Sequence, residues 1–193
     1  MDTLIFATNN QHKIDEVRTL LGNRFSIITL LEAGIEKDIP EPHDTLQANA
    51  TEKSSTIHLL TGKNCFSEDT GLFIDALNGE PGVRSARYAG ENKSPQDNIE
   101  KLLANLQMVN KPLARFRTII SLILNNKEYQ FEGVCEGVMI KEQRGRNGFG
   151  YDPVFIPEGS EKTFAEMDIE QKNSYSHRRK AMDKLIEFLL SVS

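Results

Sequence analysis

The chain has 193 residues, with 23 Lys and Arg against 28 Asp and Glu, giving a net charge of −5 at pH 7. Hydrophobic residues make up 38% and charged residues 26%, which suits a chain with a packed core and excludes a disordered or low-complexity one. The acidic excess argues against a protein that grips nucleic acid over a broad surface, because such surfaces need basic residues in excess. The start, Met1-Asp2-Thr3-Leu4-Ile5-Phe6-Ala7, has an early acid and too short an apolar run for a signal peptide. No stretch approaches membrane-span length, so a cytoplasmic location and no membrane partner are expected. The sequons at Asn49 and Asn92 would then never be read. Cys65 and Cys135 form no CxxC or Cys/His cluster and read as inert core thiols.

In chain order, the apolar run Leu4 to Ala7 predicts a strand, followed by the polar turn Thr8-Asn9-Asn10. Ile14, Val17 and Leu21 recur at helical spacing, and Gly22 is expected to end that helix. Phe25 to Leu31 reads as a second strand. After a polar stretch, Asp44 with Gln47 predicts a helix start, and Leu46, Ala50, Ile57 and Leu60 form an apolar stripe running to about Gly62. Lys53 falls inside that stripe, so it either snorkels to water or reaches an anion in a pocket.

Asn64 to Ile74 predicts short strands around Glu68-Asp69-Thr70-Gly71, and Gly79 to Gly90 a turn-rich loop. Ser94-Pro95 opens a helix carrying Ile99, Leu102, Leu103 and Leu106. Arg115 to Leu124 and Tyr129 to Ile140 predict a hairpin turning near Asn125-Asn126. Gly145 to Ile156 is a glycine-rich loop entering a strand, and Ser176 caps a last helix with Ala181, Leu185 and Leu189 on one face. Crossovers together with a hairpin require an α/β fold with a mixed sheet flanked by helices. No repeat, linker or shift in composition divides the chain, so residues 1–193 read as one domain.

Four segments carry candidate chemistry. Thr8-Asn9-Asn10-Gln11-His12-Lys13 lies between strand and helix, where unpaired N–H groups and the helix dipole favour an anion. It reads either as a phosphate cradle or as a polar β-α turn, and no GxxxxGK[ST] loop exists. In Ser67-Glu68-Asp69-Thr70-Gly71-Leu72 the adjacent acids point to opposite faces of a strand, so they are expected to serve different roles. Either suits Mg²⁺, and an Asp-Thr-Gly turn closing a hairpin is the alternative. Glu41, between two prolines, is a second metal carboxylate or an exposed loop acid.

The third segment, Gly145-Arg146-Asn147-Gly148-Phe149-Gly150-Tyr151-Asp152-Pro153, lets backbone approach a ligand closely and offers Phe149 for stacking. Asp152 either reads a base edge or organises the loop. Its likeness to RNA-binding octapeptides fails, because Pro153 interrupts the strand and the basic surface is missing. The fourth joins Lys172 to Ser176-His177-Arg178-Arg179 at a helix mouth, with His177 leaning to the buried side. His12, His43 and His58 have no partner at ligand spacing and read as surface.

ATNNxHK at the start, SEDTGL at 67–72, PGVRSARYAG at 81–90, GFGYDPVF at 148–155 and SHR at 176–178 together resemble the inosine triphosphatase (Ham1-like) family of noncanonical purine NTP pyrophosphatases. The resemblance implies an elongated α/β fold of two lobes around a mixed sheet with a cleft, usually a homodimer. It implies hydrolysis of ITP, dITP and XTP to the monophosphate and pyrophosphate with Mg²⁺. By motif, Thr8, Asn10 and Lys13 match the triphosphate loop, and Lys53 and Thr70 match substrate contacts. Glu41 matches the metal carboxylate, and Asp69 the proton acceptor and metal ligand. Phe149, Gly150, Tyr151 and Asp152 match the base loop, and Lys172, His177 and Arg178 the closing base and phosphate contacts. The chain departs from the family pattern at Asn9, where Gly is frequent, at Ala48, where Glu is common, and at Glu68, where Asp is frequent. The competing readings are a non-enzymatic nucleotide or RNA binder built on the Phe149 loop, and a hydrolase of the standard NTPs.

Overall fold

The computed structural model describes residues 3–21, 25–36 and 39–192. Among them seven strands hydrogen-bond in the order β2-β1-β3-β5-β6-β7, with β4 beside β3. The elements are β1 (Thr3–Phe6), α1 (Gln11–Leu21), β2 (Ser26–Thr29), α2 (Leu46–Thr61), β3 (Cys65–Ile74) and β4 (Pro81–Gly82). They continue with α3 (Pro95–Asn105), β5 (Leu113–Leu124), β6 (Lys127–Met139), β7 (Phe155–Pro157), α4 (Ile169–Asn173) and α5 (His177–Ser191). β1 runs parallel to β2 and β3, whereas β3–β4 and β6–β7 are antiparallel, which makes the sheet mixed as expected. No helix among the described residues is long and apolar enough to cross a membrane.

The residues fall into two compact units, one of Met1–Asp69, Thr118–Gly133 and Lys180–Ser193, the other of Thr70–Arg117 and Val134–Arg179. In the first, alternation along β1 divides the core. Leu4 and Phe6 pack with Ile14 and Val17 of α1 and with Ala181, Met182 and Leu185 of α5. Ile5 and Ala7 point the other way, to Ile57 of α2, Cys65 and Ile123. A strand buried on both faces reads as an unbroken apolar run, and that is the sequence signal Leu4 to Ala7 carries. In the second unit Leu72, Ile74, Leu102, Phe116, Tyr151, Phe155 and Phe164 share one core. Cys65 and Cys135 are both buried and form no disulfide, and burial pushes the Cys65 thiol up to about 12, as an inert group requires.

Several boundaries differ from expectation for identifiable reasons. Gly22, expected to end α1, lies outside the described residues. β2 stops at Thr29, short of Leu31, because Thr29 and Glu32 close a reciprocal turn: Glu32 Oε2 accepts from Thr29 N at 2.7 Å and Thr29 Oγ1 from Glu32 N at 3.2 Å. α2 is capped by Thr45, whose Oγ1 accepts from Ala48 N at 3.2 Å, and not by Asp44. Leu60 is 57% exposed and leaves the stripe, which keeps Leu46, Ala50, Lys53 and Ile57. Residues 65–74 form one continuous strand, so no Asp-Thr-Gly turn closes a hairpin there. His58 is half-buried between Lys63 O and Asn126 Oδ1, at 2.8 and 2.9 Å, and is not a simple surface residue.

The Ser94 cap with Pro95 following it, and the tight turn at Asn125-Asn126 with φ of 52° and 64°, stand as read. Ser176 Oγ likewise accepts from Arg179 N at 3.3 Å at the mouth of α5. Thr45→Ala is expected to destabilise the chain by about 0.5–2 kcal/mol in urea unfolding, while Asp44→Ala changes stability by less than about 0.5 kcal/mol. The reverse ranking would return the cap to Asp44.

Candidate active site

Within the first unit, the turn from β1 into α1 is built by its own side chains. Thr8 Oγ1 accepts from Asn10 N at 3.2 Å, and Asn10 Oδ1 accepts from Lys13 N at 3.3 Å, so Asn10 caps the helix. Thr8 keeps its hydroxyl proton and Asn10 its amide protons to donate outward. Asn9 is exposed in the same turn, and Gln11 and His12 are exposed at the start of α1. Lys13 Nζ lies 3.1 Å from Glu68 Oε1, a carboxylate whose side chain is 1% exposed.

Asp69 takes a different partner, as strand alternation predicts. Lys53, buried on α2, donates to Asp69 Oδ1 at 3.0 Å and to Glu41 Oε1 at 2.7 Å. Burial opposes charge on Lys53, but attraction from Asp69 and Glu41 overcomes it and raises the ammonium above its ordinary value. Asp69 is also raised, chiefly by burial, with Glu41 adding repulsion and Lys53 and Lys13 opposing. One ammonium shared by two acids does not compensate both. Asp69 Oδ2 is buried with no hydrogen-bond partner among the described residues.

The described residues hold no group of three or more His, Cys, Asp and Glu side chains that would form a protein-only metal cage. Mg²⁺ needs less, since it is commonly held by one or two carboxylates together with substrate phosphates. The unsatisfied Oδ2 of Asp69 and the partly exposed Glu41 are oxygen donors of the kind that ion prefers, so the residues present fit it.

Within the second unit, Asp152 organises the glycine-rich loop. Its Oδ2 accepts from Phe149 N and from Lys172 Nζ, both at 2.9 Å. Asp152 and Lys172 are both buried. The Lys172 ammonium lies 5.2 Å from the Phe149 ring centre, and the Arg178 guanidinium 5.7 Å, so two cations face one aromatic ring. His177 stacks on Phe116 at 4.8 Å with an interplanar angle of 12°. Gly150 adopts a φ of 61° next to Tyr151. Tyr151 is buried and donates to Ser85 O at 2.9 Å, so its ring anchors the loop from inside.

Sequence reasoning gave no role to Ser85, Phe116 or Ala165. Ser85 Oγ accepts from Leu72 N at 2.8 Å, and Ala165 O accepts from both Arg146 N and Asn147 N at 3.0 Å. The block Pro81 to Gly90 marked the place of Ser85. Thr163-x-x-Glu166, which forms a capping box around Ala165, is a readable signal for the second contact. Thr70, assigned to substrate, opens the second unit on β3 directly after Asp69.

Ammonium groups held in place by buried carboxylates, with a ring under two cations elsewhere on the same chain, define an α/β protein of the polyanion-handling class. The chain belongs to the Ham1 family, whose model matches residues 4–188. It is 51% identical over 191 residues to a Porphyromonas gingivalis protein named dITP/XTP pyrophosphatase, covering 98% of each chain. A Flavobacterium johnsoniae protein of the same name is 46% identical over 186 residues, covering 96% of this chain and 97% of that one. The solved Staphylococcus aureus Ham1 protein has a TM-score of 0.90 at 38% identity, covering 99% of this chain and 100% of its own. A HAM1 protein from Coxiella burnetii gives 0.91 at 36% identity, with the same coverage.

Gly34 and Gly148 share a φ of 73°, but a Cβ at Gly34 meets nothing within 4 Å whereas at Gly148 it runs into the Asp152 carboxylate. Gly34→Ala is expected to lose about 1–2 kcal/mol in chemical denaturation from its left-handed backbone. Gly148→Ala should lose about 1–3 kcal/mol more, because Asp152 must give up bonds that a buried charge needs. Equal losses would show that Asp152 does not depend on this glycine.

Proposed function

We propose that the chain hydrolyses noncanonical purine nucleoside triphosphates of the ITP, dITP and XTP kind to the monophosphate and pyrophosphate, removing them before they enter DNA or RNA. The observation that carries this reading is the buried Lys53 ammonium between Glu41 and Asp69, with Asp69 Oδ2 left without a hydrogen-bond partner among the described residues. The names of the relatives give the substrate class.

On this reading the capped start of α1, with Thr8, Asn10 and the Lys13 ammonium, binds the polyphosphate, and Lys53 neutralises charge that grows on it. Mg²⁺, when held by Glu41 and Asp69, supplies further neutralisation of the polyphosphate. Asp69 orients a water and takes its proton while the water oxygen bonds to the α-phosphorus. The bond from that phosphorus to the α-β bridging oxygen breaks, and pyrophosphate leaves with the electron pair.

Phe149 stacks on the purine, with Lys172 and Arg178 beside it. A donor aimed at the 6-oxo group accepts hypoxanthine and xanthine but faces another donor in adenine. His177, Arg178 and the backbone from Phe149 to Asp152 are the groups assigned to that discrimination. Residues 1–193 act as one catalytic domain in this account. The homodimer implied by the family resemblance and a cytoplasmic site of action complete it.

Asp69→Asn should lower kcat for XTP at least about 100-fold while nucleotide still binds. Phe149→Ala should raise KM more than it lowers kcat, by roughly 10-fold for a lost stacking contact. Pyrophosphate release should be faster on XTP, ITP and dITP than on ATP and GTP, and should require a divalent cation. Equal turnover of ATP, or an active Asp69→Asn, would sink the proposal.

A further inference from the structure

Asn49 sits on α2 one turn before Lys53, so both side chains leave the same face of the helix. It is fully buried. Both ends of its amide grip one residue of the preceding loop, Oδ1 accepting from His43 N at 2.9 Å and Nδ2 donating to His43 O at 3.0 Å. His43 is two residues beyond Glu41. The same helix face thus holds the loop twice, at the His43 backbone through Asn49 and at the Glu41 carboxylate through Lys53.

We propose that Asn49 is a positioning residue for Glu41, fixing the loop so that this half-exposed carboxylate stays on Lys53 beside Asp69. The proposal rests on the hydrolytic reading above. A flexible acid on a proline-flanked loop would otherwise sample many positions, and its ion pair with Lys53 alone fixes one atom, not the direction of the chain. A two-point grip on a backbone N–H and C=O fixes both. Chemistry limits the residue that serves. Asp keeps the acceptor for His43 N but sets a carboxylate against His43 O, and Ala removes both partners. The His43 side chain makes a separate contact, Nε2 to Glu52 Oε2 at 3.5 Å, which the backbone grip does not need.

The test uses the full chain and compares Asn49→Ala, Asn49→Asp and His43→Ala. Amide hydrogen exchange at His43 should quicken by about ten-fold or more in Asn49→Ala, while amides near Ile57 in α2 keep their protection. For XTP, kcat should fall roughly 10–100-fold and the Mg²⁺ concentration for half-maximal rate should rise, with KM changed by less than about three-fold. Asn49→Asp should lie between wild type and Asn49→Ala, and it serves alone if Asn49→Ala does not fold. His43→Ala, which keeps the gripped backbone, should match wild type on both readouts.

Unchanged exchange at His43, or quickened exchange with wild-type kcat and Mg²⁺ dependence, overturns the inference. So does a loss confined to thermal stability. A wild-type chain that releases no pyrophosphate from any NTP instead overturns the proposed reaction, and the exchange measurement still judges the grip because it needs no substrate.

Discussion

The first unit's candidate chemistry depends on one ammonium, that of Lys53, enclosed by Glu41 and Asp69. A buried ion pair rarely stabilises a fold, because desolvating both partners offsets most of their attraction. Here one cation serves two acids, so the balance is poorer still. Asp69 accordingly holds its proton more tightly in the folded chain than unfolded. The sign follows: the stability this proton contributes is fully present below the ordinary carboxylate value, and it falls as pH rises through the raised one. A group kept where it weakens the fold at neutral pH is the kind of strain that functional sites carry.

The second unit repeats the device with other residues. Lys172 is buried against Asp152, and the same Asp152 oxygen fixes the Phe149 amide. In each unit a carboxylate holds a lysine ammonium in place in the absence of a ligand. Preorganised charge needs no rearrangement when a polyanion arrives, and that is the main lever available in phosphoryl chemistry. Gly148 serves the same end, since a side chain there would occupy the carboxylate's space.

The elements legible from the sequence are those whose signal is local. Ser94-Pro95, the apolar run of β1 and the Asn125-Asn126 turn each encode their structure in a few adjacent residues. The cap of α2 lies one residue beyond the position that Asp44 with Gln47 suggests, because Thr45 is an equally good capping type next to it and its Oγ1 is the one that accepts from Ala48 N. The Leu60 position failed because the helix turns its end to water, which periodicity alone does not reveal. At the site, the residue types and their order were readable. The pairing of Lys13 with Glu68 and of Lys53 with Asp69 was not, because it depends on which face of β3 meets which helix. Asp152 stood between two readings, and its bonds to Phe149 and Lys172 assign it the organising one.

The most direct measurement is a carbon NMR titration of the Asp69 carboxyl in the nucleotide-free, metal-free chain. The account predicts a midpoint above the ordinary 3.8, moving higher in Lys53→Met and lower in Glu41→Gln. A midpoint at or below 3.8 that neither substitution moves would contradict it.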